Sequence, residues 1–479
     1  MALDSTTCYR ALLARDARFD GRFFVAVRST GIFCRPICPA RTPKRENIEF
    51  YACAAAAAQA GFRACKRCRP ETSPGTPAWL GSSALVSRAL RLIRAGALDD
   101  DGGVEPLAAR LGVGARQLRR LFDQHLGASP AAVAGAQRLQ SARALIDQTD
   151  LAMADIAAAA GYRSIRQFNH AVKDAFGAAP RALRGARGAE SVTGLTLRLP
   201  YRPPLDWPAL LAFLAARATP GVEVVADGTY RRTVHLGDRV VAIEVAVLAD
   251  RPALVLRLPP CSAATLVDAA ERARRVFDLG ADPLQIAAQL RGDTRLRSLL
   301  RRHAGLRVPG AWDPFEIAVR AVVGQQVTVR GATTLMGRLV ARCGAPAALG
   351  GGLTHAFPTP AALAQADLTG IGMPTARRAA LQGLAGAVAG GALRLDAARG
   401  LDDAVARLRA LPGIGEWTAQ YIAMRGLGEP DAFPHGDLGL RVALGNGAGP
   451  VSAARLAAAA EAWRPWRAYA ALLLWQAHR

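Results

Sequence analysis

Lysine is almost missing from this chain of 479 residues, which contains only Lys44, Lys66 and Lys173. The other cations are arginines, and the 61 basic residues exceed the 38 acidic ones to give a formal net charge of +23. The excess is spread along the chain: residues 1–190 hold 28 basic and 16 acidic residues, and residues 191–479 hold 33 and 22. This balance suits a polyanionic partner such as double-stranded DNA, although an arginine- and alanine-rich composition also follows from genomic base bias.

Long apolar runs are missing as well. No stretch of about 18 apolar residues occurs, which argues against a membrane span. The first ten residues lack the basic and apolar segments of a signal peptide, so we expect a cytoplasmic protein. We also expect the protein to be a monomer. The hydrophobic content of 51% is sufficient for packed cores, and the length predicts three or four domains at roughly 100–200 residues each.

Cysteine is scarce after residue 70, since only two of the eight cysteines follow it. Four early ones form two close pairs, Cys34-x3-Cys38 and Cys65-x2-Cys68. Four thiolates at this spacing suit tetrahedral zinc, and in a cytosolic chain such a cluster indicates a metal site rather than disulfides. The ion could be purely structural, or it could keep one thiolate deprotonated and therefore nucleophilic.

Residues 71–77 and 185–194 have the composition of linkers. Before the first linker, short β-prone stretches accompany the cysteines, and between the two linkers the pattern is helical. After the second linker, residues 195–260 alternate apolar and polar positions, which predicts an antiparallel sheet with a helix near 206–218. Helical periodicity returns from about residue 262 to the end.

The region between the linkers contains one pattern twice. A helix, a tight turn with glycine and a basic second helix occur over residues 107–122 and again over 156–176. This is the layout of a helix-turn-helix, whose second helix enters the major groove of DNA. Some of its arginines could simply be solvated surface residues. The candidate DNA contacts are Arg116, Arg119, Arg120, Arg163, Arg166 and Gln167.

The segment LPGIGEWTA, residues 411–419, has the pattern of a helix-hairpin-helix. Its glycines allow a tight turn in which backbone N–H groups at Gly413 and Gly415 face a DNA phosphate. A monovalent cation bound at this hairpin is a second candidate cofactor, in addition to zinc. The carboxylate Asp437 follows at a distance typical of a glycosylase. No lysine lies beyond Lys173, which excludes a lysine Schiff base in this half.

The stretch RSTGIFCRPICPAR, followed by GFRACKRC, resembles the N-terminal domain of the Ada family of adaptive-response proteins. The resemblance implies that Cys34 accepts a methyl group from a DNA methylphosphotriester. It also implies the zinc ligands Cys34, Cys38, Cys65 and Cys68 and the phosphate contacts Arg41 and Arg67. Methylating one of four thiolates changes the net charge of the zinc centre from −2 to −1, so DNA binding should tighten. The Pro-Cys-His-Arg motif of a second methyltransferase is absent, and we expect no repair of O6-alkylguanine.

The tandem helical pattern resembles the AraC-type DNA-binding domain. Residues from about 195 to the end resemble AlkA-type 3-methyladenine DNA glycosylases, a helix-hairpin-helix family, at VVADGTY, RAVVGQQV and WRPWR. This resemblance implies that Asp437 is the catalytic carboxylate, with Asp431 as a weaker alternative. It also implies an aromatic pocket for a flipped, cationic base, with ordinary core packing as the alternative. The pocket residues would be Trp417, Tyr421 and Trp475.

Two positions bear on activity. Trp417 stands where lyase-type relatives carry lysine, which predicts a monofunctional glycosylase. Gln326 stands where the family tends to carry an apolar residue that wedges into the duplex, and a polar wedge should fill the gap less well. We count Gln326 among the substrate-binding residues.

Together these features predict a multidomain α+β protein. The predicted segments are a small zinc-bound α/β domain at 1–77, an all-α AraC-type double helix-turn-helix domain at 82–186, an antiparallel α+β subdomain at 192–300 and an all-α helix-hairpin-helix glycosylase domain at 301–479. Three functions remain open: a repair enzyme that is also a methylation-switched activator contacting RNA polymerase, a regulator whose glycosylase half only binds lesions, and a glycosylase with a DNA-docking front half.

Overall fold

The computed structural model describes residues 4–74, 84–99, 103–184, 194–236, 239–445, 447 and 449–477. Residues 75–77 of the first predicted linker and 185–193 of the second lie outside the described residues. Among the described residues, no helix is both long and apolar enough to cross a bilayer.

The N-terminal segment forms a four-stranded sheet in the order β3-β1-β2-β4. Strand β1 is antiparallel to β2 and β3, whereas β2 and β4 run parallel. Phe24, Ala26 and Phe33 alternate toward one buried face, which packs against the second helix. The elements are α1 (Ser5–Leu13), β1 (Phe24–Val27), β2 (Ile32–Cys34), β3 (Ile48–Tyr51), α2 (Ala54–Gln59) and β4 (Arg63–Ala64).

Seven helices follow within residues 84–99 and 103–184, and they confirm the tandem helix-turn-helix pattern. Gly112 and Gly161 adopt positive φ angles of 74° and 81° in the two tight turns, where a side chain would be strained. Each second helix buries apolar residues, such as Leu118 and Phe168, and exposes its basic face. The elements are α3 (Ala84–Arg94), α4 (Val104–Arg110), α5 (Ala115–Leu126), α6 (Pro130–Gln148), α7 (Met153–Ala159), α8 (Ile165–Phe176) and α9 (Pro180–Leu183).

The next segment confirms the predicted antiparallel sheet and its helix. Five strands pair in the order β5-β9-β8-β7-β6, all antiparallel. Buried side chains of α6–α8 share one hydrophobic core with this sheet and with α11, so the regulatory helices pack directly on it. The elements are β5 (Leu195–Pro200), α10 (Trp207–Ala215), β6 (Glu223–Ala226), β7 (Thr229–Leu236), β8 (Arg239–Val247), β9 (Ala253–Leu258) and α11 (Ala263–Val276).

The C-terminal segment is helical around the largest core, to which α14, α19 and α22 contribute most of their apolar residues. Many of its helices begin at a capping side chain; Asp293, for example, accepts the N–H groups of Arg295 and Leu296. The elements are α12 (Pro283–Leu290), α13 (Thr294–Arg302), α14 (Pro314–Val323), α15 (Val329–Cys343), β10 (Ala345–Gly350), β11 (Leu353–Ala356), α16 (Pro360–Gln365), α17 (Thr375–Ala389), α18 (Leu401–Arg409), α19 (Glu416–Arg425), α20 (Leu438–Gly445), α21 (Ala453–Ala460) and α22 (Arg467–Ala477).

One feature of this segment departs from the all-α expectation. Strands β10 and β11 form a hairpin that packs against β7 of the preceding sheet. The N–H groups of Thr354 and His355 donate to the carbonyl of Gly221 at 2.8 and 3.1 Å. Its alanine- and glycine-rich sequence shows no strand periodicity that could predict the hairpin. The hairpin forms because long-range contacts hold it.

Candidate functional site

Parallel pairing of β2 with β4 brings the two cysteine pairs together. Strand β2 ends at Cys34, and β4 ends one residue before Cys65, so the two thiols leave neighbouring strands at the same edge. The sulfur atoms of Cys34, Cys38, Cys65 and Cys68 all lie within 4.8 Å of one another. Cys34 is half-buried and the other three are buried.

This donor set fits zinc. The proximity of Cys34 and Cys38 raises the pKa of the Cys34 thiol and lowers that of Cys38. Four sulfurs that compete for protons at this spacing match a tetrahedral, thiolate-binding cation. The four cysteines are the zinc site, and Cys34 is the ligand that solvent can reach.

Arg35 fixes the loop that carries Cys68, a role that the sequence did not reveal. Its backbone N–H donates to the sulfur of Cys68 at 3.3 Å, and its Nη1 donates to the carbonyl of the same residue at 3.2 Å. On the other side, its Nε donates to Asp20 at 2.8 Å. In the sequence, only the position of Arg35 between the zinc ligands Cys34 and Cys38 pointed to this role. Its partner Asp20 is too distant along the chain to be recognised from a local pattern.

A cleft of about 690 Å³ opens beside Cys34. Arg41, Lys66 and Arg67 line it and are exposed, so the two predicted phosphate contacts lie near the accessible thiol. Residues 174–177, at the end of α8, line it too. The cleft therefore joins the zinc site to the second helix-turn-helix.

The six predicted DNA contacts of the helix-turn-helix pair are all exposed. Arg119 forms an ion pair with Glu105 at 2.6 Å. The side chain of Gln167 accepts the backbone N–H of Arg163 at 3.3 Å, which engages it in the start of α8. Arg116, Arg119 and Arg120 lie on α5, Arg166 and Gln167 on α8, and Arg163 in the turn before α8.

In the C-terminal half, Asp437 precedes α20 and accepts three hydrogen bonds. The indole N–H groups of Trp417 and Trp475 each donate to it at 3.0 Å, one to each carboxylate oxygen. The backbone N–H of Leu440 donates at 3.0 Å. Three donors on different elements hold the half-buried carboxylate in one orientation.

The three predicted pocket aromatics meet around this carboxylate. Trp417 stacks on Tyr421 with a centroid distance of 5.3 Å and an interplanar angle of 17°. Trp475 lies 6.4 Å from Tyr421 at 56°. Trp417 and Trp475 remain half-exposed, so their rings are accessible to a planar cation.

Arg425 contacts the aromatic pocket from its buried side, and the sequence did not predict this role. Its Nη1 donates to the hydroxyl oxygen of Tyr421 at 2.9 Å, and its Nε donates to the carbonyl of Pro309 at 2.8 Å. Burial raises the pKa of Tyr421, but the charges of Arg425 and Arg217 outweigh that effect and lower it to about 8. Nothing in the sequence marks Arg425 as buried.

The hairpin between α18 and α19 exposes both predicted glycines. Gly413 has φ +81°, and Gly415 caps α19. Gln325, another residue that the sequence did not single out, donates from Nε2 to the carbonyl of Gly413 at 2.9 Å and to the hydroxyl of Thr418 at 3.0 Å. It therefore ties the loop before α15 to the hairpin.

Gln326 lies at the tip of that loop, exposed, with φ 55°. Val327 and Val329 beside it are 38% and 42% exposed. Asp431, the weaker carboxylate candidate, accepts Nε and Nη2 of Arg467 at 2.8 and 3.0 Å and also pairs with Arg464. These ion pairs engage Asp431 and leave Asp437 as the carboxylate between the aromatics.

Comparisons with known proteins agree with this geometry. The metal binding domain of Ada matches residues 7–71, a helix-turn-helix domain matches 107–186, and the AlkA N-terminal domain matches 196–313. A Mycobacterium tuberculosis protein described as a probable bifunctional transcriptional activator/DNA repair enzyme AlkA is 47% identical over 98% of this chain and 96% of its own. The chain belongs to this family of bifunctional activator and DNA repair proteins.

Two further relatives cover the C-terminal part. DNA-3-methyladenine glycosylase 2 of Escherichia coli is 36% identical over 58% of this chain and 95% of its own. The solved structure of a 3-methyladenine DNA-glycosylase from Archaeoglobus fulgidus matches 59% of this chain and 98% of its own, with a TM-score of 0.52 and 23% identity. The latter likeness is one of fold.

Proposed function

We propose that the chain repairs alkylated DNA by two chemistries and activates transcription in response to damage. The observation that carries this proposal is the carboxylate of Asp437, held between the indole N–H groups of Trp417 and Trp475. The proposed segments are 1–77 for methyl transfer, 82–186 for sequence-specific DNA binding, and 192–300 with 301–479 for base excision. RNA polymerase is the further partner that activation requires, and the acting species is a monomer.

In base excision, the alkylated base is flipped between the aromatic side chains, which stack on a cationic ring. The bond from C1′ to the base nitrogen breaks, and its electron pair leaves with the base, which becomes neutral. Asp437 stabilises the positive charge that develops on the sugar. Water then bonds to C1′ and passes a proton to Asp437, which returns it to solvent. No lysine lies beyond Lys173 to form a Schiff base, so an abasic site is the product.

In methyl transfer, a methylphosphotriester enters the basic cleft beside Cys34. The sulfur of Cys34 bonds to the methyl carbon, the bond from that carbon to the phosphate oxygen breaks, and a phosphodiester anion leaves. Zinc supplies one element of this chemistry, since it keeps the thiolates deprotonated at neutral pH. Arg41 and Arg67 attract the phosphate group and stabilise the anion that forms.

Methylation removes one negative charge from a surface that faces DNA. The cleft beside Cys34 is lined on one side by the end of α8, so this charge change occurs next to a helix that carries candidate DNA contacts. We propose that stronger DNA binding through both surfaces converts the repair event into transcription activation.

The glycosylase is tested with duplex DNA that carries radiolabelled methyl groups, by counting free base and protein-bound label separately. We expect Asp437→Asn to reduce base release about 10²- to 10³-fold or more while DNA binding persists. Asp431→Asn is the matched control, and it should retain base release. Equal activity of wild type and Asp437→Asn would remove the catalytic assignment and leave a lesion-binding regulator.

The same assay tests the methyl acceptor. Cys34→Ala should take up no label and should not activate a reporter promoter, whereas Cys261→Ala, in the second half of the chain, should do both. Label on a Cys34→Ala protein would show that another residue accepts the methyl group. If the wild type takes up methyl label but does not activate the reporter promoter, the first half of the chain acts only in repair and DNA docking.

A further inference from the structure

A cleft of about 390 Å³ separates α3 from α11, and Arg425, which donates to the hydroxyl of Tyr421, also lines it. Helix α3 lines it with Arg88, Arg91 and Arg94, which are spaced by three residues and therefore share a helical face. Helix α11 lines the opposite wall with Arg272 and Arg275, again spaced by three. Two rows of arginine thus face one concave space between the regulatory helices and the glycosylase half.

Eight arginines and five acidic residues line the cleft, so its charge is positive overall. Arg272 is already paired with Asp268 at 2.7 Å. Glu429 is buried and accepts Nη2 of Arg91 at 2.5 Å. Asp396 is shared by three arginine side chains at 3.3 to 3.5 Å. Like charges at this spacing repel each other along a helix, so the arrangement favours a bound anion.

Arg88 shows the shortage of acceptors most directly. Its Nε is buried, and no acceptor among the described residues lies within hydrogen-bonding distance of it. Burial lowers the pKa of Arg88. A buried N–H group without an acceptor is costly, and an anion in the cleft would supply that acceptor.

We propose that this cleft binds a phosphate group between α3 and α11. The planar fork of an arginine matches two phosphate oxygens, and forks from both walls would hold the group from two sides. Neither repair reaction uses this cleft, so the proposal goes beyond the proposed function. The phosphate would join the regulatory helices to the glycosylase half. Its source is either a free phosphate compound or the backbone of DNA.

Calorimetric titration of the zinc-loaded full chain with inorganic phosphate, against chloride at equal ionic strength, tests the site. We expect saturable binding that weakens at least tenfold in Arg88→Gln and in Arg275→Gln, one variant from each wall. Arg302→Gln, an exposed arginine of α13 outside the cleft, is the control and should bind as wild type does. Base release by each variant checks that the chain is folded.

Absence of saturable binding in wild type would overturn the proposal, and so would equal weakening in the Arg302→Gln control. A repeat with saturating undamaged duplex identifies the source. Loss of the phosphate signal assigns the cleft to the DNA backbone, whereas an unchanged signal assigns it to free phosphate. Failure of this titration leaves base release and methyl uptake untouched, so it is distinguishable from failure of the repair functions.

Discussion

Among single residues, Tyr421 has an unusual proton affinity. Burial raises the pKa of Tyr51 and of Tyr162 to about 12, whereas the arginines around Tyr421 overcome its burial and lower its pKa to about 8. A tyrosine that ionises this readily beside Trp417 would make the pocket more attractive to a cationic base.

We predict that absorbance at the tyrosinate wavelength shows one group titrating near pH 8 in wild type and none in Tyr421→Phe. Because the folded pKa lies below the unfolded one, this group adds stability as pH rises from about 8 to 10, and adds none below pH 8. Tyr421→Phe should lose that gain, roughly 1–3 kcal/mol at pH 10. Titration of Tyr421 with the other tyrosines, above pH 10, would contradict the prediction.

Gln326 is the residue whose chemistry disagrees most with its position. It is exposed at the tip of a loop that Gln325 ties to the hairpin between α18 and α19. A polar side chain that enters a base stack must lose its water without gaining a partner, whereas an apolar one need not.

We predict that Gln326→Leu binds an abasic or lesion-containing duplex about three- to tenfold more tightly, since one apolar side chain contributes roughly 1 kcal/mol. Fluorescence anisotropy of labelled duplex provides the measurement. Gln326→Ala is the control and should not tighten binding. Gln326 already bears the cost of the left-handed backbone, so leucine should change stability little, and thermal unfolding of the variant checks this. Unchanged affinity for the duplex would show that this loop does not contact it.

At the level of elements, the two glycines of the hairpin between α18 and α19 differ in the space that surrounds them. A Cβ on Gly413 would lie 2.6 Å from the Cβ of Ala380, and its φ of +81° is strained for any side chain. A Cβ on Gly415 would meet nothing within 4 Å. Gly413 is needed for the fold of the hairpin, whereas open space surrounds Gly415.

We predict that Gly413→Ala lowers stability by about 1–3 kcal/mol and weakens binding to undamaged duplex. Gly415→Ala should keep the melting temperature of wild type and lose only DNA affinity, because its methyl group would stand between α19 and the phosphate. Thermal unfolding and filter binding of the two variants test the difference. An equal loss of stability in both would contradict it.

Over the whole molecule, the zinc segment has little apolar material of its own. Its core consists of two small clusters, one around Phe23 and Val25 and the other around Phe24 and Phe33. Domains with so small a core usually depend on a metal. The glycosylase helices, in contrast, share one large core that does not include the zinc site.

We predict that zinc removal, by a chelator or by Cys65→Ser, unfolds residues 4–74 and leaves base release within about twofold of wild type. Hydrogen exchange should show loss of protection in β1–β4 and persistence in α14 and α19. Arg22 forms a buried ion pair with Asp282, at 2.8 Å, so exchange at the start of α12 should rise modestly. Loss of base release together with zinc would show that the two halves act as one unit.

The sequence alone determined the zinc ligands, the tandem helix-turn-helix, the antiparallel sheet and the hairpin glycines, and it singled out Asp437, which the structure shows between Trp417 and Trp475. These features depend on local spacing and periodicity, because ligands, turns and amphipathic faces are set by neighbours along the chain. The near absence of lysine also belongs here, since composition by itself excludes a Schiff base in the second half. The roles of individual site residues remain predictions until the variants are measured.

Only the tertiary structure decided the rest. Arg35, Arg425 and Gln325 each act through a partner that folding brings close, and no local pattern marks a buried arginine or a bridging glutamine. The β10–β11 hairpin forms because β7 and Gly221 supply contacts that its own sequence does not suggest. The arginine rows of α3 and α11 are ordinary surface patterns when read separately. They form a cleft only because the regulatory helices pack against the glycosylase half and bring charges from distant parts of the chain together.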